Sequence, residues 1–281
     1  MARPLTVACL QTRPHPSFQL AVDEALLRAE VAVSVGAELL LLPEYCGGLL
    51  TRDGAFVPPA ADEENHPVLK GLQEFAASRH VWTVVGSVAV NAPDGRVFNR
   101  GYVIDNTGEI RARYDKLHLF DVDLESAQYR ESDAVSAGKD AVVCDTPFGR
   151  LGFTICYDLR FPQLYRELAQ AGAEMLLVPA AFTKQTGEAH WHVLNRARAI
   201  ETGSIGIAPC AVGPVDGGGE SYGHSLIVNP WGEVLVDAGQ FPGVVHTTID
   251  LDEVAETRAR IPSWNVERRI EVLDGKGRAV A

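Results

Sequence analysis

The sequence has few cysteines, and their spacing argues against several classes of protein. They are Cys9, Cys46, Cys144, Cys156 and Cys210. Their number is odd, and no two of them have the C-x-x-C spacing of zinc ligands or of a dithiol redox centre. Three lie within apolar runs, which is typical of reduced thiols in a cytosolic compartment. We therefore expect no disulfide framework, no cysteine-based metal site and no thiol redox activity.

Long hydrophobic runs are absent as well. No apolar segment approaches about 18 residues, the length that a membrane-spanning helix needs. The apolar stretch near the N-terminus is too short for the core of a signal peptide. We therefore expect a cytoplasmic protein with no membrane partner.

Positive charge is scarce relative to negative charge. The chain has 25 Lys and Arg against 37 Asp and Glu, which gives a formal net charge of -12 at pH 7. Such a surface repels nucleic acid and anionic membranes, so neither is expected as a main partner. The 281 residues, 46% of them hydrophobic, suffice for two average domains or for one large α/β domain.

Apolar periodicity predicts alternating strands and helices. In the first half we expect strands at 5–10 and 37–42, helices at 18–35 and 68–80, a long loop at 46–67, and antiparallel strands at 81–90, 97–104 and 110–116. In the second half we expect strands at 141–145, 150–155, 173–180, 204–212, 224–228, 234–238 and 244–249, with helices after Cys156, at 187–202 and at 251–260.

One string occurs twice in nearly the same form. Gly36-Ala-Glu-Leu-Leu-Leu-Leu-Pro-Glu and Gly172-Ala-Glu-Met-Leu-Leu-Val-Pro-Ala each follow an expected strand and helix. The echo favours a duplication over chance, although apolar strands use few residue types. It predicts two similar sheets packed face to face, with helices outside.

A change from apolar to charged residues marks Cys156 as a candidate functional residue. The segment Leu151-Gly-Phe-Thr-Ile-Cys-Tyr-Asp predicts a buried strand that ends at Cys156 and is followed directly by a helix. Ligands bind beyond the carboxyl ends of such strands, and a helix N-terminus stabilises a thiolate. Taken alone, Cys156 is more simply interpreted as a buried structural thiol.

Two other strand ends change that interpretation. Glu44 lies just beyond the second strand, and Lys116 ends the strand at 110–116. A thiol that attacks an amide or a nitrile needs a base, a donor for the oxyanion and a proton source for the leaving amine. Glu44, Lys116 and Cys156 supply these groups, and we expect them to share one crevice. A neighbouring Lys116 would lower the pKa of the Cys156 thiol.

These segments resemble the nitrilase (carbon-nitrogen hydrolase) superfamily, in segment order from about Leu5 to Arg269. The resemblance implies a four-layer α-β-β-α sandwich with two similar mixed sheets. It also implies one carbon-nitrogen hydrolase domain over 1–281, with 262–281 as a C-terminal tail that extends away from the core or onto a partner. No metal or organic cofactor is implied, and a homodimer or higher homo-oligomer is expected.

The resemblance also assigns roles to individual residues. It makes Cys156 the nucleophile, Glu44 the general base and acid, and Lys116 the oxyanion stabiliser. Glu131 matches a second glutamate that orients the lysine or assists proton transfer. The backbone N–H of Tyr157 would complete the oxyanion hole.

Further motifs are most similar to the deaminated glutathione amidase and omega-amidase branch of that superfamily. They are Cys156-Tyr-Asp-Leu-Arg-Phe-Pro, Ala189-His-Trp-His-Val-Leu, Arg196-Ala-Arg-Ala-Ile-Glu, Tyr222-Gly-His-Ser and Asn229-Pro-Trp-Gly. The implied substrate is a small ω-amide such as deaminated glutathione or an α-keto acid amide. Which cation binds the carboxylate of such a substrate stays open.

Alternatives remain at the level of function and of single residues. The chain could hydrolyse N-carbamoyl amino acids or aliphatic amides, or bind small molecules without catalysis. His118 and His190 have the chemistry of a general base, but the resemblance gives that role to glutamate. We expect Asp158 and Arg160 to form a supporting ion pair, and Cys46 to be a passive loop residue.

Overall fold

The computed structural model describes residues 2–52, 55–124, 128–268, 270–276 and 278–279. The α-helices are α1 Phe18–Ser34, α2 Pro67–Arg79, α3 Pro162–Gln170, α4 Lys184–Thr202 and α5 Asp252–Arg260. Short 3₁₀ turns cover Glu63–Asn65, Glu131–Asp133, Cys156–Arg160 and Pro262–Asn265.

The strands alternate with these helices along the chain. In order, they are β1 Pro4–Gln11, β2 Leu39–Leu41, β3 Thr51–Arg52, β4 Ala55–Phe56, β5 Ala60–Ala61, β6 Trp82–Asn91, β7 Val97–Ile104, β8 Ile110–Asp115, β9 Asp121–Asp123, β10 Gln128–Arg130, β11 Val143–Asp145, β12 Arg150–Phe153, β13 Met175–Leu177, β14 Ile205–Ala208, β15 Val212–Pro214, β16 Glu220–Tyr222, β17 Leu226–Val228, β18 Val234–Asp237 and β19 Gly243–Asp250.

Two large mixed sheets have the same arrangement. The first sheet has the order β19-β1-β2-β6-β7-β8, with β5 added beside β6, and the second has the order β11-β12-β13-β14-β17-β18. In each sheet three neighbouring strands are parallel (β1, β2 and β6; β12, β13 and β14). The short β5 also pairs parallel with β6, and the other strands pair antiparallel. The prediction of two similar mixed sheets is confirmed.

Alternating side chains place the first sheet between two cores. One set packs toward the second sheet and comprises Val7, Cys9, Leu39, Leu41, Val84 and Val103. The intervening set packs with α1 and α2 and comprises Ala8, Leu10, Leu40, Leu42 and Val85. Tyr114 of the first sheet stacks on Phe153 of the second at 5.6 Å between ring centroids. With α3 and α4 on the outer face of the second sheet, this gives the expected four layers.

The second half of the chain also supplies an edge strand to the first sheet. β19 follows the strands of the second sheet but pairs antiparallel with β1, whereas β11 forms a local hairpin with β12 in its own sheet. The pairing of β19 with β1 ties the halves together, so the facing strand ends of the two sheets are held in fixed positions.

Several predicted elements differ from the structure. The segment 46–67 is not one loop, because it contains β3, β4, β5 and a 3₁₀ turn. The predicted strand at 204–212 is two strands, β14 and β15, with Pro209 between them, which has no N–H to continue a ladder. Helix α4 begins at Lys184 rather than Gly187; Gly187 is required inside the helix because a Cβ there would lie 2.3 Å from Cγ of Tyr222.

The start of the C-terminal tail folds back onto its own chain, contrary to the expected extension away from the core. Arg166 of α3 donates to the carbonyl of Ser263 at 3.2 Å, and the Arg258 guanidinium lies 4.6 Å from the ring centroid of Trp264. Within the described residues, no helix combines the length and apolar character needed to cross a bilayer.

Candidate active site

Cys156 lies beyond the end of β12, as predicted, but an α-helix does not follow it directly. It is the first residue of the 3₁₀ turn 156–160, and α3 begins only at Pro162. Its backbone has a φ of 50°, a conformation that costs a non-glycine residue about 1–3 kcal/mol. The Cys156 N–H donates to the carbonyl of Pro179 at 2.9 Å, which fixes this strained turn against the neighbouring strand end.

Glu44 lies beyond the end of β2, and three donors hold its carboxylate. Oε1 accepts from Nζ of Lys116 and from Nδ2 of Asn99, each at 2.8 Å. Oε2 accepts from the backbone N–H of Ala181 at 2.7 Å. Because Ala181 belongs to the second half of the chain, Glu44 reaches across to the other sheet.

Lys116 lies between two buried carboxylates. Its Nζ donates to Glu44 at 2.8 Å and to Oε2 of Glu131 at 2.9 Å. The three side chains are at most 3% exposed. Burial opposes the charge of Lys116, but the negative charges of Glu131 and Glu44 outweigh it and raise the lysine pKa well above its ordinary value.

Glu131 is fixed by further contacts that the sequence did not indicate. Its Oε1 accepts from the Tyr45 hydroxyl and from Nδ2 of Asn99, both at 3.1 Å, and its Oε2 accepts from the Phe120 N–H at 2.6 Å. Asn99 therefore donates to both carboxylates that flank Lys116. A buried asparagine within a strand is the one unusual feature in the sequence of β7 that could have pointed to it.

All these groups open onto one cleft. Glu44, Lys116, Glu131 and Cys156 line it, and its empty volume, mouth included, is about 410 Å³. Aromatic side chains form much of its wall, namely Phe56, Phe120, Tyr129, Tyr157 and Phe182. A cleft with aromatic walls and a few polar groups suits a small molecule with an apolar portion and one reactive polar group.

The electrostatic state of Cys156 differs from the sequence prediction. Burial, the negative charge of Glu44 and a hydrogen bond with Glu44 raise the pKa of the thiol well above its ordinary value. Lys116 acts in the opposite direction, as predicted, but does not compensate. The prediction of a lowered pKa was wrong, because it counted one lysine and overlooked burial and two carboxylates. These effects favour the neutral thiol form of Cys156.

Tyr157 lies directly after Cys156 and lines the cleft. Because the Cys156 N–H already donates to Pro179, the next N–H along the turn is the one available to a bound substrate. This placement is consistent with the role that the family resemblance gives to the backbone of Tyr157.

Asp158 and Arg160 do not form the expected ion pair. The Asp158 carboxylate accepts from the Tyr114 hydroxyl at 2.6 Å, the His118 N–H at 3.0 Å and the Ile155 N–H at 2.8 Å, so it holds the turn around Cys156. Its Oδ1 also lies 2.7 Å from Nδ1 of His118.

Arg160 instead lies beside the aromatic wall of the cleft. Its guanidinium is 5.3 Å from the ring centroid of Phe182 and 5.8 Å from that of Tyr157. Its Nη1 is 3.3 Å from Nδ1 of His190. In the described part of the chain it has no carboxylate partner.

Cys46, close in sequence to Glu44, is not on the wall of the cleft. Its thiol donates to the carbonyl of Ser87 at 3.3 Å, and burial raises its pKa to about 12. It packs in the core beneath α1 and α2. These contacts are those of a structural thiol.

Comparison with known proteins connects this geometry to one family. The carbon-nitrogen hydrolase profile matches residues 6–259. The chain belongs to the carbon-nitrogen hydrolase family. Within this family it is 42% identical, over 84% of each chain, to a protein of Dictyostelium discoideum named deaminated glutathione amidase. It is 34% identical to omega-amidase NIT2 of Homo sapiens, over 84% of this chain and 85% of that one.

A solved relative shares the fold of this carbon-nitrogen hydrolase over most of the chain. The C. elegans NitFhit protein superposes with a TM-score of 0.85 at 31% identity, over 94% of this chain. The superposition spans 65% of the NitFhit chain, which is the longer of the two. The expected fold class is therefore confirmed.

Proposed function

We propose that the protein hydrolyses the carbon-nitrogen bond of a small ω-amide that carries a carboxylate, through a thioester on Cys156. The observation that carries this proposal is the convergence of a thiol, a carboxylate and a buried ammonium group on one cleft. Glu44, Lys116 and Cys156 come from three strand ends that are distant in sequence.

The first half of the reaction uses Glu44 as the base. As the Cys156 sulfur attacks the amide carbon, the thiol proton passes to Glu44 and the carbonyl π electrons move onto oxygen. Nζ of Lys116 and the N–H of Tyr157 stabilise the oxyanion. Glu44 then gives the proton to nitrogen, the carbon-nitrogen bond breaks, and ammonia leaves a thioester behind.

The cleft keeps a constant net charge during this step. Before attack, the lysine and the two carboxylates together carry one negative charge. After attack, Glu44 is neutral and the oxyanion takes its place, so the net charge is unchanged. A raised thiol pKa therefore does not obstruct attack, because no separate thiolate has to form beside Glu44 and Glu131.

The second half of the reaction returns the enzyme to its starting state. Glu44 takes a proton from a water molecule that attacks the thioester carbon. The tetrahedral oxyanion again lies against Lys116. Its collapse releases a carboxylic acid, and Glu44 returns the proton to the sulfur of Cys156.

The position of Arg160 supports the proposal that the substrate carries a carboxylate. The relatives named deaminated glutathione amidase and omega-amidase act, as their names state, on amides, and deaminated glutathione carries carboxylates. Two aromatic rings hold the Arg160 guanidinium beside the cleft, where no carboxylate of the described residues neutralises it. A substrate carboxylate at this position would receive charge-assisted hydrogen bonds.

An ammonia-release assay tests this function. The panel should contain deaminated glutathione, α-ketoglutaramate, an N-carbamoyl amino acid and a neutral aliphatic amide, with Cys156→Ala as the blank. We expect turnover of the first two. In Arg160→Gln, kcat/KM for them should fall about 10- to 100-fold, because a hydrogen bond to a charged group contributes roughly 1.5–3 kcal/mol. Turnover of the neutral amide should change little.

Other outcomes would favour the alternatives. Preference for the carbamoyl compound or the aliphatic amide would change the substrate assignment to that compound but leave the cysteine mechanism unchanged. Binding without ammonia release from any amide would favour a noncatalytic small-molecule binder. An equal loss on charged and neutral amides in Arg160→Gln would contradict the role of Arg160.

We also propose a domain organisation, an oligomeric state and a compartment for the protein. One catalytic domain spans the chain, with 262–281 as its tail, in a cytoplasmic homodimer. Exposed apolar side chains on and near α4 support self-association, namely Val193, Ile200, Trp231 and Ile261. Light scattering at micromolar concentration should give the mass of a dimer, and a monomer would contradict the assembly.

A further inference from the structure

A cluster of two imidazoles and one carboxylate lies on the second sheet, and the proposed reaction does not use it. His192 belongs to α4, His224 precedes β17, and Asp237 ends β18. One ligand atom from each lies within 4.8 Å of the other two. None of the three lines the cleft that contains Cys156.

In both histidine–aspartate pairs, the donor atoms are hydrogen-bonded at nearly the spacing that a small cation would give them. Nε2 of His192 is 3.0 Å from Oδ2 of Asp237, and Nδ1 of His224 is 2.9 Å from Oδ1. Zinc binds nitrogen and carboxylate oxygen at about 2.0–2.2 Å, which separates neighbouring ligands by roughly 3.4 Å in a tetrahedron. Small side-chain rotations would therefore suffice to place an ion between them.

The surroundings hold the His224 ring in place. Its φ is 53°, in the left-handed region, and its N–H donates to the carbonyl of Gly239 at 2.8 Å. Nε1 of Trp191 donates to the His224 carbonyl at 2.7 Å, and the Tyr222 ring stacks on the imidazole at 4.5 Å. A strained residue fixed by this many contacts is a preorganised ligand.

The fold itself does not require imidazoles here. In the first sheet, β7 and β8 pair Tyr102 with Arg113, and in the second sheet β17 and β18 pair Leu226 with Asp237. The first-sheet position that matches His224 holds Arg100, whose guanidinium pairs with Asp115 and Glu63. The first half therefore has an arginine network where the second half has donors that suit a metal.

We propose that His192, His224 and Asp237 bind one divalent transition-metal ion, with zinc as the best match to two imidazoles and a carboxylate. Their side chains are 34%, 18% and 35% exposed, so an ion can enter and water can complete the coordination. Nε2 of His224 has no acceptor among the described residues. Because such an acceptor strengthens metal affinity about 10- to 100-fold, we expect weaker binding here than at a site whose imidazoles all have one.

Zinc titration of the full-length, untagged protein tests this site. Competition with a chromophoric chelator should give one zinc per chain, and zinc should raise the melting temperature. His192→Gln and Asp237→Asn should each weaken binding at least 10-fold and remove the thermal shift. His246→Gln, an exposed histidine on β19, and Cys156→Ala, which removes the catalytic thiol, should bind as the unmodified chain does.

Two results would overturn the proposal. One is the absence of zinc binding at 100 µM metal, and the other is binding that Cys156→Ala abolishes but His192→Gln does not. If His192→Gln fails to fold, zinc-soaked crystals of the unmodified chain decide: an anomalous peak within bonding distance of His192 and Asp237 supports the site, and its absence contradicts it. The outcome is independent of whether the amide panel shows turnover.

Discussion

The two halves of the chain form two sheets of the same arrangement, but these sheets carry different residues at matching strand ends. Val7 pairs with Leu39 in the first sheet, and Leu151 pairs with Met175 in the second. Five residues beyond Leu39 is Glu44, whereas five residues beyond Met175 is Ala180. In the same way, Cys156 of the second half matches Thr12 of the first.

This difference explains why the groups that we propose as catalytic come from both halves and meet in the cleft that Cys156 lines. The first half supplies Glu44 and Lys116, and the second half supplies Cys156. The segment from β18 to the start of β19 contains no lysine to match Lys116. A duplicated sheet thus provides two equivalent sets of strand ends, and the reaction that we propose draws on both.

The largest loss of activity should follow from removing the Cys156 thiol, which the second half contributes to the cleft. Cys156→Ala should lower kcat/KM at least about 10⁴-fold with the fold intact, because no nucleophile remains. Cys46→Ala, at a buried thiol of the first half, should keep kcat within a few fold. Ammonia release and thermal melting would measure both. Comparable activity losses in the two variants would contradict the assignment.

Removing the base of the first half should change both rate and thiol titration. Glu44→Gln should lower kcat about 10³-fold, as expected for loss of a general base. It should also lower the pKa of Cys156, because the charge and hydrogen bond of Glu44 raise it. Thiolate absorbance against pH, with Cys156→Ala subtracted, would measure the shift. An unchanged or higher thiol pKa would show that the two groups are not adjacent.

A smaller effect should follow at Asn99, which positions the two carboxylates of the first half. Asn99→Ala removes a donor shared by Glu44 and Glu131, and kcat should fall about 10- to 100-fold with KM nearly unchanged. Asn91→Ala, an exposed residue on the neighbouring strand β6, is the matched control. A rise in KM at constant kcat would place Asn99 in substrate binding instead.

The smallest effect concerns stability of the turn after β1. In the second half Asp158 holds the turn at Cys156, and in the first half Glu24 accepts from the Arg13 N–H at 3.0 Å and lies 2.7 Å from Nε2 of His15. Burial opposes the charge of Glu24, but His15, Arg13 and Arg28 lower its pKa to about 2.

The Glu24 carboxylate binds fewer protons in the folded state than in the unfolded state between pH 4.5 and 2. Its contribution to the free energy of unfolding is therefore complete above pH 4.5 and is lost as the pH falls toward 2. Glu24→Gln should lower the free energy of unfolding by on the order of 2 kcal/mol at neutral pH. It should also reduce the decrease in that free energy between pH 4.5 and 2, as measured by urea unfolding. Glu30→Gln, at an exposed pair on the same helix, should change little. Parallel curves for Glu24→Gln and the unmodified chain would refute the assignment.

Local patterns predicted the elements of the fold well where one physical signal dominated. Buried strands such as β2 and β13 are short apolar runs that end at proline, and their near-identical strings revealed the duplicated sheets. The hairpin of β11 and β12 was predictable from the turn between them, but the pairing of β19 with β1 was not, because pairing of distant strands leaves no local signal. Gly187 was misinterpreted because Tyr222, its neighbour in space, decides its role, whereas the break at Pro209 follows from its missing N–H and could have been predicted.

The site shows the same limit. Residue types at strand ends and the family resemblance were enough to select Glu44, Lys116, Cys156 and Glu131. The contacts of Asp158 and Arg160, and the direction of the thiol pKa, depend on burial and on which groups meet in space. Asn99 was missed because its importance comes only from the two carboxylates that the fold brings to it.

The central claim is that groups from both halves form one covalent catalyst at Cys156. Enzyme mixed with an ω-amide that it hydrolyses, quenched in acid within a turnover and digested, should show a peptide adduct on Cys156 equal in mass to the substrate less ammonia. Ammonia release with Cys156 unmodified throughout, or an adduct on another residue, would contradict the account.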